Sequence, residues 1–152
     1  MNTDEINETI TSNAAEIVRL HQRTRENLGQ LDGSDEKSEQ WRQACAEFQA
    51  RLDLLAFPGG YTGALQRISS GDPYAMEAAI CFLELRPYFF RSGYMFKDIL
   101  RKCKRAPLSK SQALRLAAVI QKRADWQATH PRPHPEEYTI KGQLANRARF
   151  SK

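Results

Sequence analysis

The fold of this chain is decided by one stretch of sequence, DPYAMEAAICFLELRP, at residues 72–87. Its first residue can cap a helix, its second is a proline suited to the first helical position, and its last is a proline that ends one. Between them nearly every position is apolar, and only Glu77 and Glu84 mark a strip that faces outward. A helix without a polar face is surrounded by protein. The sequence therefore predicts a buried central helix over residues 73–86.

An acidic helical hairpin over residues 3–56 is predicted before this central helix. Its first helix, residues 3–31, can be capped by Thr3 and carries a narrow apolar seam. Its second helix, residues 35–56, has a continuous apolar face. The seam of the first helix consists of Ile6, Ile10, Ile17, Leu20 and Leu28. Because a narrow seam packs on one neighbour or on a second copy, a homodimer through residues 3–31 stays open as an alternative.

Three further helices are predicted, a short one at about 62–69 and a basic pair spanning residues 93–126. The pair consists of helices at about 93–105 and 110–126, and a capping box begins the second of them. The core face expected for that second helix contains Ala113, Leu116, Ala117, Ile120 and Ala124. No segment alternates as a strand does. We therefore expect an all-α, single-domain bundle of five to six antiparallel helices.

The composition changes after the last predicted helix, which places the helical domain at residues 1–128. Residues 129–152 are predicted to be a Pro-rich linker followed by a basic tail, because prolines alternate with polar residues at its start. His130 and His134 have the four-residue spacing of a zinc site on a helix. The intervening prolines prevent that helix, so no metal site is expected.

Charge is distributed unevenly along the chain, whose overall net charge is +5. Residues 1–58 contain eleven acidic and six basic residues, whereas residues 86–123 contain eleven basic residues and one acidic residue, Asp98. A local excess of this size repels itself unless something opposes it. The opposing charge is either the acidic first half of the same chain or a partner, and the sequence leaves both open.

The basic helix pair contains the candidate binding residues. On the first helix of the pair the bases recur at steps of three and four residues, so they share one face. An exposed aromatic residue beside them would suit electrostatic steering followed by anchoring. The candidate partner-binding residues are Arg91, Tyr94, Lys97, Arg101, Lys104, Arg105, Arg115 and Lys122. The aromatic residues Tyr88, Phe89 and Phe90 before the pair are expected in the core.

Three interpretations of this basic face compete. It is a solvated face neutralised by the acidic hairpin, a docking surface for a protein with an acidic surface, or a surface that contacts nucleic-acid phosphates. We favour a non-enzymatic interaction module of the inhibitor, adaptor or immunity-protein type, of bacterial style. Binding of nucleic acid through the same face is the alternative.

Catalysis, cofactors and membrane insertion are not expected. Cys45, Cys81 and Cys103 have no short spacing and are expected to be buried thiols, with Cys103 alone near bases that could activate it. Glu77 and Glu84 are expected to form salt bridges with Arg91, Arg101 or a tail base. No apolar run approaches the length of a membrane span and no secretory signal begins the chain, so a cytoplasmic location is expected.

Overall fold

The computed structural model describes residues 2–132, which form six helices and no strand. The helices are α1 (Thr3–Gly29), α2 (Asp35–Ala56), α3 (Ala64–Ser69), α4 (Pro73–Leu85), α5 (Ser92–Cys103) and α6 (Lys110–Thr129). The all-α prediction with five to six helices is confirmed. Most of the tail predicted for residues 129–152 lies outside the described residues. None of the described helices is both long enough and apolar enough to cross a lipid bilayer.

Helix α4 is the central element that its sequence predicts. Every residue from Ala75 to Leu83 is buried. The helix begins where a carboxylate oxygen of Asp72 accepts a hydrogen bond from the backbone N–H of Ala75 at 2.8 Å. The predicted outward strip is only half right, because Glu84 is exposed whereas Glu77 is buried. A carboxylate therefore lies inside the most apolar helix of the chain and needs a partner there.

Helices α1 and α2 form the predicted hairpin. Asn2, rather than Thr3, caps α1 by accepting a hydrogen bond from the backbone N–H of Asp4 at 2.9 Å. Four of the five seam residues of α1 are buried within the chain, where α1 packs on α2 and α4, and Leu28 is exposed. The seam is thus used by neighbours in the same chain.

Helices α5 and α6 differ in how well they match the prediction. The apolar stripe of α5 is buried as expected. Leu116 alone is buried among the residues expected to form the core face of α6, whereas Ala113, Ala117, Ile120 and Ala124 are exposed. The first half of α6 instead turns a polar side toward α4, where Gln112 and Arg115 donate hydrogen bonds to Glu77.

The chain divides into two compact units, one that ends at Val119 and one that begins at Ile120, within α6. Among the described residues, all buried apolar side chains belong to the first unit, and Leu116 is the last of them. The domain boundary expected between residues 128 and 129 stays a prediction.

Candidate partner-binding site

Burial of one side of α5 determines which side chains reach solvent on the other. The side chains that anchor this helix in the core are Met95, Phe96, Ile99, Leu100 and Cys103. These positions repeat at steps of three and four residues, which is the spacing of one helical face. The residues between them are therefore directed away from the core.

The outward side of α5 carries a row of cations, which we call the α5 basic face and define as Lys97, Arg101, Lys104 and Arg105. All four are exposed, and the last two lie directly after the final helical residue, Cys103. Eight residues at a helical rise of about 1.5 Å place the first and last cation roughly 12 Å apart along the axis. Tyr94 begins the same side of the helix, with 73% of its surface exposed.

The α5 basic face has almost no internal neutralisation. Arg101 forms an ion pair with Asp98 at 3.5 Å, in which both side chains are well exposed. Within residues 2–132, the other three members of the face take part in no ion pair. An exposed ion pair contributes only about 0–1 kcal/mol, so the Asp98 contact does not compete strongly with a partner.

Some carboxylates of the acidic hairpin are paired within the hairpin instead. Glu16 accepts hydrogen bonds from Arg19 and Arg51, and these lower its pKa to about 2. Glu47 pairs with Arg23 and Arg51, which also lie on α1 and α2. The sequence leaves two sources of negative charge that could oppose the basic helices, the acidic hairpin and a partner. The hairpin carboxylates in these ion pairs are already bound to arginines of the hairpin itself.

The turn between α4 and α5, residues 86–91, forms a rigid corner beside the α5 basic face. Arg86 closes α4 with a positive φ of 48°, and Arg91 precedes α5 with a φ of 65°. Residues other than glycine seldom adopt this left-handed backbone conformation, and they do so where the surrounding structure holds them in it. Here the Ser92 hydroxyl accepts a hydrogen bond from the backbone N–H of Phe89 at 3.0 Å, and the Ser92 N–H donates to the carbonyl of Phe89 at 2.9 Å.

Three consecutive aromatic residues in this corner have three different environments. Phe89 is buried, as predicted. The ring of Phe90 lies 4.9 Å from that of His21 and 5.8 Å from that of Phe48, so it fixes the corner to the α1–α2 hairpin. Tyr88 is 90% exposed, so its predicted place in the core is wrong. Phe90 is 38% exposed, so its predicted place in the core is also wrong, and Phe89 is the buried one of the three.

Both corner arginines also lie over aromatic rings. The guanidinium carbon of Arg86 is 4.9 Å from the centre of the Phe96 ring, and that of Arg91 is 5.2 Å from the centre of the Phe90 ring. Such contacts contribute about 0.5–1 kcal/mol each at exposed sites and hold the side chains in place. Arg91 is among the candidate residues predicted from sequence, whereas Arg86 and Tyr88 are not. The only signal for them was their position between the end of α4 and the start of α5.

One of the predicted binding residues, Arg115, is engaged elsewhere, and another, Lys122, belongs to the other compact unit. Arg115 bridges Glu77 and Glu84, with its Nη1 3.0 Å from Oε2 of Glu77 and its Nη2 2.5 Å from Oε1 of Glu84. The salt-bridge partner expected for these carboxylates was Arg91, Arg101 or a tail base, and Arg115 takes that place. Lys122 is exposed in the second unit of the chain.

The cluster around Glu77 joins three helices and is built to hold charge. Thr3 of α1 and Gln112 of α6 each donate a hydrogen bond to Glu77 at 3.3 Å. Burial raises the pKa of Glu77, but the hydrogen bonds from Arg115 and Gln112 and the positive charge of Arg115 outweigh it, so the pKa lies below its usual value. A general base is tuned toward neutrality, so this carboxylate is a poor one.

Two of the cysteines, Cys81 and Cys103, are also unsuited to nucleophilic chemistry. Cys103 and Cys81 are buried as expected, whereas Cys45 is half-buried. Burial raises the pKa of Cys103 to about 12, despite its basic neighbours in sequence. Burial, together with the charge of Glu77, raises the pKa of Cys81. Both remain protonated thiols at neutral pH.

The described residues contain no group of three or more histidine, cysteine, aspartate or glutamate side chains that could hold a metal ion. His130 stacks on Trp126 with ring centres 4.4 Å apart. His134 lies outside the described residues. Comparison of the chain with family models, with curated proteins and with solved structures gave no match.

Proposed function

We propose that this protein is a non-catalytic interaction module that binds a partner protein with an acidic surface. The α5 basic face is its main contact, together with Tyr94 and Arg91. One observation carries the proposal: four exposed cations lie on one side of a well-anchored helix, and the hairpin carboxylates that form ion pairs use arginines of their own hairpin. Charge of one sign on a rigid face steers partners of the opposite sign.

The proposal keeps six of the eight predicted binding residues. Arg115 is omitted because leaving Glu77 without it would bury an unpaired charge. Lys122 is omitted because it belongs to the other compact unit. A homodimer through residues 3–31 is not included, because most of the seam that would form it is buried within the chain.

The finer parts of the proposal rest on chemistry alone. We infer a role of the inhibitor, adaptor or immunity-protein type, without a cofactor, since the pKa of the Glu77 carboxyl is lowered and the pKa values of the Cys81 and Cys103 thiols are raised, each away from catalysis. A cytoplasmic location is inferred because all three cysteines are free thiols, as is usual in a reducing compartment.

The test is a pair of charge-reversal variants with the same change in net charge. Arg101→Glu/Arg105→Glu removes positive charge from the α5 basic face. Arg25→Glu/Arg42→Glu is the matched control on α1 and α2. Arg42 resembles Arg101, since each is about two-thirds exposed (63% and 67%) and each pairs with an acid three residues earlier at 3.5 Å.

Affinity capture from lysate, quantified by mass spectrometry, is compared for the wild type and both variants. We expect the wild type and the control to capture at least one protein in equal amounts. The amount of that protein captured by Arg101→Glu/Arg105→Glu, the α5 variant, should be lower by about tenfold or more. Far-ultraviolet circular dichroism confirms that both variants are folded. Equal capture by all three proteins would contradict the proposal.

Nucleic acid is the second outcome that this experiment separates. Repeating the capture after nuclease treatment and measuring duplex binding at ~50 mM salt tests it directly. Phosphate binding would weaken steeply with added salt, by roughly the 0.9 power of salt concentration for each duplex phosphate contacted. Loss of capture after nuclease treatment, with duplex binding that the α5 variant abolishes, would replace the protein partner by nucleic acid.

A further inference from the structure

Exposed aromatic and apolar side chains precede the α5 basic face in sequence. Tyr88 in the corner and Tyr94 in the first turn of α5 are exposed, as is Leu85 at the end of α4. All three precede Lys97, and they lie in sequence beside the exposed cations Arg86 and Arg91, so exposed aromatic surface is confined to the start of the helix while positive charge occurs along all of it. Tyrosine and arginine are the residue types that contribute most to binding energy at protein interfaces.

The corner is also preorganised. Its backbone is held by the hydrogen bonds between Phe89 and Ser92, and the contacts of the Phe90 ring with the rings of His21 and Phe48 attach it to the hairpin. A side chain presented from a fixed backbone loses less conformational freedom on binding than one presented from a mobile loop. The highly exposed Tyr88 is therefore suited to anchor a partner.

We propose that the corner and the α5 basic face form one composite docking surface for a partner segment of defined pattern. That segment carries acidic side chains over about 12 Å, followed at one end by an apolar side chain that packs against Tyr88 and Tyr94. This inference rests on the proposed function, and it adds the chemical pattern of the partner. Charge complementarity with the row of cations determines that one part of the partner segment is acidic. The exposed aromatic residues at one end of that row determine that the adjoining part of the segment is apolar.

The test uses three synthetic peptides of equal length and equal negative charge, labelled for fluorescence anisotropy. The first contains glutamates with glycine and serine spacers. The second adds two leucines at one end of the glutamate run. The third has the composition of the second, with the leucines placed among the glutamates. Binding to the full-length protein is measured at ~50 and ~150 mM salt.

We expect the end-anchored peptide to bind at least tenfold more tightly than the all-acidic one, and the interspersed peptide to show no such gain. Tyr88→Ala and Tyr94→Ala should each remove most of the gain. Tyr88→Ala, which lies outside the contact residues proposed above, should leave affinity for the all-acidic peptide unchanged. Because both tyrosines are exposed, these variants should fold, and thermal denaturation checks this. Arg101→Glu/Arg105→Glu should abolish binding of all three peptides.

The contrary outcomes are distinct from one another. Equal binding of the three peptides, lost in the arginine variant, would overturn the apolar anchor and leave the proposed function standing. Equal gains for the end-anchored and interspersed peptides would overturn the pattern. No binding of any peptide at ~50 mM salt would overturn both this inference and the acidic-surface proposal.

Discussion

A buried glutamate shows how single residues behave in this protein. Glu77 is surrounded by apolar residues along α4, yet it is ionised because Arg115, Gln112 and Thr3 all donate hydrogen bonds to it. The cost of removing its charge from water is offset by these contacts. The residue therefore stabilises the packing of three helices only while it carries its charge.

The pH dependence of stability should report this carboxylate. Its pKa in the folded protein is below the usual value of 4.5, so the stability it contributes is present above pH 4.5 and is lost as pH falls through the folded pKa. Urea denaturation of the wild type and Glu77→Gln at pH 7, 5, 4 and 3 measures it. We expect the variant to be about 1–3 kcal/mol less stable at pH 7, with the difference shrinking below pH 4.5.

The same substitution in an Arg115→Leu background is the control. Without the guanidinium, burial of Glu77 opposes its charge, so Glu77→Gln should then stabilise the protein at pH 7 rather than destabilise it. A loss of stability of the same size in both backgrounds would show that Arg115 does not compensate the charge of Glu77.

At the scale of elements, two of the turns between helices pack closely against each other. Gly71, in the turn between α3 and α4, has a φ of +90°, and a Cβ built on it would lie 2.9 Å from Cγ of Pro107 in the turn between α5 and α6. Two connections far apart in sequence therefore meet where one residue has no side chain. Gly33, between α1 and α2, has a similar φ of +85° but no neighbour within 4 Å of the Cβ position.

Alanine substitutions at these two glycines distinguish the free-energy cost of backbone strain from the cost of steric crowding. Gly33→Ala should cost about 1–2 kcal/mol, because an alanine is forced into the left-handed conformation. Gly71→Ala should cost roughly 1–3 kcal/mol more, because the Pro107 ring must also move. Urea denaturation of both variants measures the difference in free energy of unfolding. Equal costs would mean that the Pro107 contact relaxes freely.

At the scale of the whole molecule, the hydrophobic core and the positive charge have different distributions. The buried apolar side chains of the described residues end at Leu116, while basic residues continue beyond it. The α5 basic face lies entirely within the first compact unit. Folding and the proposed binding should therefore both depend on residues before Ile120.

A chain truncated after Val119 should fold. Because it retains every described buried apolar residue, we expect a thermal unfolding midpoint within about 5 °C of the full-length value, which corresponds to a loss of roughly 1–2 kcal/mol. Circular dichroism melts and the dispersion of amide signals in NMR spectra measure this. A truncated chain that is unfolded at room temperature would show that residues after Val119 contribute to the core.

The order of the helices, and most of their boundaries, follow from local sequence. Prolines, capping residues and apolar periodicity act within a few residues, so α4 could be recognised as central and the stripe of α5 could be assigned before any packing was known. For the same reason the exposure of Lys97, Arg101, Lys104 and Arg105 was predictable. Their spacing alone places them opposite the apolar stripe.

Other features depended on packing between distant parts of the chain. Arg115 looks like one more surface base until α4 brings Glu77, 38 residues earlier in sequence, within hydrogen-bonding distance. The small apolar residues of α6 look like a core face until that ion pair turns its polar side toward α4. Similarly, three adjacent aromatic residues are equivalent in sequence, and packing selects Phe89, which contacts Phe82 of α4, as the buried one. Local sequence pattern determined which helices form. The tertiary structure determined which charges are paired and which aromatic side chains face solvent, because charge pairing and burial depend on partners that no short-range pattern specifies.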